Sequence, residues 1–161
     1  MGLDTCDAIL PIVKRDLGVL HARTFCHATE DIVKVRTAMA NAFGECELHV
    51  QETEGHHGNP ISILECSLED ADGVLEFFSK IGDDDIQQLL RTLDERVDDD
   101  CNLFLKIDKQ SAYQGDIKLS SGEDVLSVRV KVRSYPAKRE LAVVAAQDYL
   151  LGVLERRKAS S

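Results

Sequence analysis

The stretch from Val19 to Val50, VLHARTFCHATEDIVKVRTAMANAFGECELHV, decides the fold through its changes of period. Up to Ala28, polar side chains alternate with apolar, β-branched or aromatic ones, the pattern of a strand wetted on one face. Thr29, Glu30 and Asp31 then supply a helix N-cap and a negatively charged first turn. Ile32, Val35, Met39, Ala42 and Phe43 keep helical spacing until Gly44 stops it. Cys46, Leu48 and Val50 return to alternation with Glu47, His49 and Gln51, so the stretch is predicted to run strand, helix, strand.

Working outward, Glu54-Gly55-His56-His57-Gly58-Asn59-Pro60 is a breaker-rich loop, and the apolar run Ile61 to Cys66 returns as the second arm of a hairpin. Ser67 is placed to cap a helix carrying Val74, Leu75, Phe77, Phe78 and Ile81. A second helix starts at Asp83 to Asp85 and continues through Ile86, Leu89, Leu90, Leu93 and Val97. Three strands are predicted next, from the alternation of Cys101, Leu103, Leu105 and Ile107, of Ile117 with Leu119, and of Leu126, Val128, Val130 and Val132. Pro136 opens a long C-terminal helix through Leu141, Val144, Ala145, Leu151 and Leu154. The order β-α-β-β-α-α-β-β-β-α, with short turns between strands, predicts an α+β fold of two layers, a mainly antiparallel sheet with helices on one face.

The 161 residues fit a single α+β domain, 1–161, with 1–17 as an N-terminal extension. No apolar run is long enough to span a membrane, and Asp4, Asp7, Lys14, Arg15 and Asp16 interrupt the first segment. The expected location is therefore cytoplasmic, with no membrane partner. Five cysteines without a C-x-x-C pair suggest reduced, mostly buried thiols. The net charge of -10 opposes indiscriminate binding to nucleic acid, but the charge is unevenly distributed. Residues 129–158 hold eight basic side chains against three acids, whereas residues 69–100 hold twelve acids against three basic side chains. One end can therefore meet a polyanion while the acidic segment faces away.

If the aliphatic positions face the helices, the other face of the sheet carries His21, Arg23, Phe25 and His27, then His49, Phe104, Lys106, Lys118, Arg129, Lys131 and Arg133. Cations interleaved with flat rings suit an RNA-binding sheet, where cations meet phosphates and rings stack on unpaired bases. The same residues also suit an ordinary solvated face, and composition leaves both readings open. His56 and His57, between two glycines, either hold a phosphate or simply shape a turn. No carboxylate or cysteine stands at ligand spacing from them, so neither a metal nor another cofactor is expected. No phosphate-binding glycine loop, nucleophile elbow or H-E-x-x-H motif is present.

Arg23-Thr24-Phe25-Cys26-His27-Ala28-Thr29-Glu30, combined with Glu54-Gly55-His56-His57-Gly58-Asn59-Pro60-Ile61, resembles an archaeal family of predicted exosome subunits or RNA-binding proteins. The resemblance extends from about Leu17 onward. It implies a fold similar to that of the ribosomal large-subunit protein that contacts 5S RNA, and it implies no catalytic activity. The expectation is a non-catalytic RNA-binding protein of modest affinity, associated with RNA processing or the archaeal exosome. Its candidate contacts are Arg23, Phe25, His27, His56, His57, Lys106, Arg129, Lys131 and Arg133. Two alternatives stand beside it: a subunit that docks a protein through its acidic helices, and a histidine-dependent phosphodiesterase or nuclease.

Overall fold

The computed structural model describes residues 17–54 and 58–160; residues 1–16 of the expected N-terminal extension and the candidates His56 and His57 lie outside the described residues, and Leu17 belongs to the first strand. Among the described residues, five strands form one antiparallel sheet: β1 (Leu17–His27), β2 (His49–Glu54), β3 (Pro60–Leu68), β4 (Asn102–Asp108) and β5 (Val125–Val132). Their spatial order is β2-β3-β1-β5-β4. Six helices accompany them: α1 (Ile32–Phe43), α2 (Ala71–Lys80), α3 (Asp83–Arg91), α4 (Leu93–Arg96), α5 (Lys109–Tyr113) and α6 (Arg139–Ser160). The fold is α+β with an antiparallel sheet, as the alternation of periods predicts.

Strand alternation separates the two faces of the sheet. Leu20, Ala22, Cys66, Leu103, Leu105, Ile107, Leu126, Val128 and Val130 are buried toward the helices, where they meet Met39, Phe77, Phe78, Ile86, Leu89 and Leu150, while Leu64 packs in a smaller cluster with Cys26 and Val35. The positions between them on β1, β4 and β5 are exposed to solvent. Core aromatics cluster, with the Phe43 and Phe77 ring centroids 5.2 Å apart and Phe78 edge-on to Tyr149 at 5.6 Å. These pairs lock α1, α2 and α6 into one layer.

Caps fix the helix starts. Asp31 accepts from the Val33 amide at 2.9 Å, Asp70 from Gly73 at 3.2 Å and Asp108 from Ser111 at 2.9 Å. Ser67 is therefore not a cap. It is a residue of β3, and the cap is Asp70, three residues later, with the helix starting at Ala71. The helix expected from Asp83 to Val97 breaks at Thr92 into α3 and α4, with the Thr92 hydroxyl accepting from Arg96 Nε at 2.7 Å.

The strand expected around Ile117 and Leu119 is reduced to single bridges, Ile81 with Ile117 and Ile107 with Leu119. Its backbone still runs beside the outer edge of β4, where the Asp108 amide donates to the Lys118 carbonyl at 2.9 Å and Ser120 to Lys106 at 2.9 Å. The acid runs serve the fold. Asp98 accepts from the amides of Asp100 and Asn102, Asp85 from that of Leu119, and Asp83 pairs with Arg157. No helix among the described residues is long and apolar enough to cross a membrane.

Candidate nucleic-acid interface

Strand register turns the exposed positions into rows across the sheet. One row reads His49, Glu65, Arg23, Ser127, Lys106. The next reads Ser67, His21, Arg129, Phe104. Phe25 lies opposite Ile63, His27 opposite Ile61, and Lys131 opposite Asn102. Six of the seven candidates that fall among the described residues thus sit on strands of one face, and Arg133 follows directly after β5. A depression of about 240 Å³ opens at its centre, lined by His21, Arg23, Glu65, Phe104, Ser127 and Arg129.

The cations of this face differ in how free they are. Arg129 and Lys106 are exposed and have no ion-pair partner among the described residues. Arg23 lies 3.5 Å from Glu65, an exposed pair that stabilises the fold by about 1 kcal/mol at most. The Lys131 ammonium donates to the Asp100 carbonyl, so an RNA phosphate would have to compete for it. Arg133 lies over Gly18, where an added Cβ would stand 3.2 Å from its Nε. The Ser67 hydroxyl is 2.9 Å from His21 Nδ1.

His27 is set apart from this cationic centre. It lines a separate depression with Phe25, Glu30, Lys109, Glu123 and Asp124, where carboxylates outnumber cations. Lys118 is not on the open face at all. It lines a cavity of about 510 Å³ in the helix layer with Lys80 and Asp83 to Asp85.

The inward half of the Arg23–Glu30 motif is structural. Thr24 is buried and its hydroxyl donates to the Val125 carbonyl at 2.9 Å. Cys26 is buried as its register predicts, and burial raises its thiol pKa. Glu30 joins a hub around Lys109, which is only 4% exposed. The Lys109 ammonium donates to the Phe25 carbonyl at 2.7 Å and lies 3.1 Å from Glu30 and 2.8 Å from Asp124. Its hydrogen bond holds the Asp124 carboxyl below the usual carboxylate range. This buried lysine fixes the end of β1 and hence the base of Phe25.

Sequence reasoning missed both Lys109 and Glu65. Lys109 sits at a strand-to-helix junction, where alternation has ended and an isolated lysine reads as solvated. Glu65 carries the one available signal, since it alternates with Leu64 and Cys66 and so falls on the same face as Arg23.

Residues 20–132 match a protein-family model described as RNA binding. The chain is 36% identical to RNA-binding protein PAB1135 of Pyrococcus abyssi over 83% of its own length and 93% of that protein. It is 31% identical to protein MJ0213 of Methanocaldococcus jannaschii, over 68% of this chain and 80% of the other. The solved structure of Mth689 from Methanothermobacter thermautotrophicus superposes with a TM-score of 0.74 at 31% identity, covering 83% of this chain and 98% of Mth689.

Proposed function

Because the chain belongs to the RNA-binding family whose model spans residues 20–132, we propose that it is a non-catalytic RNA-binding protein that holds RNA on the open face of its sheet. The observation that carries this reading is the exposed row His21, Arg129, Phe104 beside Arg23 and Lys106, cations and rings alternating on a rigid surface. Strands hold such groups at fixed spacing, so phosphates and bases meet them without much reordering. The overall negative charge does not oppose this, since the acids of α2, α3 and α4 lie in the helix layer behind the sheet, where Asp83 pairs with Arg157 and Asp85 accepts from the Leu119 amide.

The binding-only part of the proposal rests on how the imidazole at the centre of this face, His21, is used. His21 meets a serine hydroxyl, and no carboxylate is paired with it among the described residues, so nothing there orients an acid-base relay. His56 and His57 are phosphate contacts in this reading, on the chemistry of their side chains. A place in RNA processing alongside the archaeal exosome is the cellular setting that the motif resemblance implies.

Binding of labelled RNA by the full-length chain, followed by fluorescence anisotropy across a salt series, tests the proposal. The expected result is an affinity that falls linearly with the logarithm of salt concentration. Absence of binding at low salt, or RNA cleavage by the purified protein, would overturn it.

A further inference from the structure

We infer that the RNA taken by this face is single-stranded, with Phe25 and Phe104 as two separate base-stacking platforms; this rests on the RNA-binding reading above. The chain has five phenylalanines. Phe43, Phe77 and Phe78 pack against one another in the core. The other two, Phe25 and Phe104, are 44% and 43% exposed, and both stand on the open face of the sheet. A core built by burying aromatics would not leave both of the remaining rings on the solvent side, at strand positions where alternation favours polar residues.

Their placement fits a strand of nucleotides crossing the sheet diagonally. Phe104 shares a row with Arg129 and His21, and Phe25 lies four residues along β1 from His21. With strand and residue spacings of an ordinary sheet, the two rings are roughly 16 Å apart. Arg23, Ser127 and Arg129 occupy the ground between them, and Lys106 flanks it. A single strand that sets one base on each ring thus passes its phosphates over cations.

The acids on the same face argue against a duplex. Glu65 stands in the central row beside Arg23, and Glu123 and Asp124 border Phe25. A-form RNA is read through two phosphate rows and the 2′-hydroxyls, with its base faces covered, so it gives the rings nothing to stack on and brings phosphates against these carboxylates. An unpaired base, in contrast, exposes amino groups from which Glu65 can accept hydrogen bonds.

The test uses the full-length chain and one short mixed-sequence RNA, fluorescently labelled, alone and annealed to its complement. Wild type should prefer the single strand. Phe25→Ala and Phe104→Ala should each weaken single-strand binding about fivefold to a hundredfold and leave duplex binding unmoved. Phe25→Leu and Phe104→Leu, which keep apolar volume and remove the ring, should show the same direction with wild-type melting. Duplex binding as tight as single-strand binding overturns the inference while RNA binding stands. So does single-strand affinity that is indifferent to both phenylalanines but still sensitive to Arg129→Glu. Failure to bind either RNA removes the RNA-binding reading itself.

Discussion

Replacing Lys109 by Met keeps the length and apolar stem of the side chain and removes one charge from a site that is 4% exposed. The Phe25 carbonyl loses its donor at 2.7 Å, and Glu30 and Asp124 lose their shared cation. Breaking a buried ion pair by removing one partner costs about 3–5 kcal/mol when the other charge stays buried. Here the carboxylates are 25% and 52% exposed and regain water, so the expected loss falls to about 2–4 kcal/mol, mainly from the buried lysine's charge-assisted hydrogen bonds. Urea unfolding should show a lower midpoint with an unchanged slope. The acid limb gives an independent check. Lys109 depresses the Asp124 pKa, so Asp124 adds stability in full above the unfolded value near 4 and loses it as pH falls through the folded value. The Met variant should therefore lose less stability than wild type on acidification through that range. A variant within about 1 kcal/mol of wild type at neutral pH, with an unaltered acid limb, would refute the hub.

Arg129→Glu with Lys131→Glu should weaken RNA binding and reduce the magnitude of the salt slope by about 0.7 per lost phosphate contact, with melting close to wild type. Arg129 should account for most of the effect, because Lys131 is already engaged by the Asp100 carbonyl. Changing His56 and His57 together to Ala should reduce affinity modestly, and neither wild type nor variant should release cleaved RNA on a denaturing gel. Dialysis against a chelator should move neither melting temperature nor affinity, which a stoichiometric metal found by elemental analysis would contradict. The Tyr149 hydroxyl is buried without a hydrogen-bond partner among the described residues, and burial raises its pKa. Tyr149→Phe should therefore be at least as stable as wild type and gain up to about 1 kcal/mol in urea unfolding.

Period-2 and period-3.6 patterns located the main strands and helices, because each element buries one side and the two spacings differ. They misplaced detail wherever hydrogen bonds outside that pattern set the boundary. Asp70 caps α2 and Thr92 divides α3 from α4, choices made by side chains that periodicity does not weigh. Ile117 and Leu119 alternate as a strand does, yet the turn after α5 leaves them only single bridges. On the open face the same rule found both rings and the cations of β1, β4 and β5, since a residue's side of a strand follows from counting, and it misplaced Lys118, which is on no strand. It could not supply which neighbours stand across the strand boundary. Register supplied the pairing of Arg23 with Glu65, and a contact between residues 84 apart, Lys109 to Phe25, supplied the hub.

The two margins of the sheet have opposite defences against further growth. Beyond β4, the segment around Lys118 to Ser120 already occupies outward-facing backbone groups, so another strand has few of them to pair with. Beyond β2 there is no such cover among the described residues, and the whole of His49–Glu54 is exposed. What guards that margin is charge, from Glu52 and Glu54, which repel a second copy brought alongside in register. Self-assembly by strand addition is thus blocked sterically at one side and only electrostatically at the other, so acid and high salt, which neutralise or screen those glutamates, are the conditions under which this protein is most exposed to edge-to-edge aggregation.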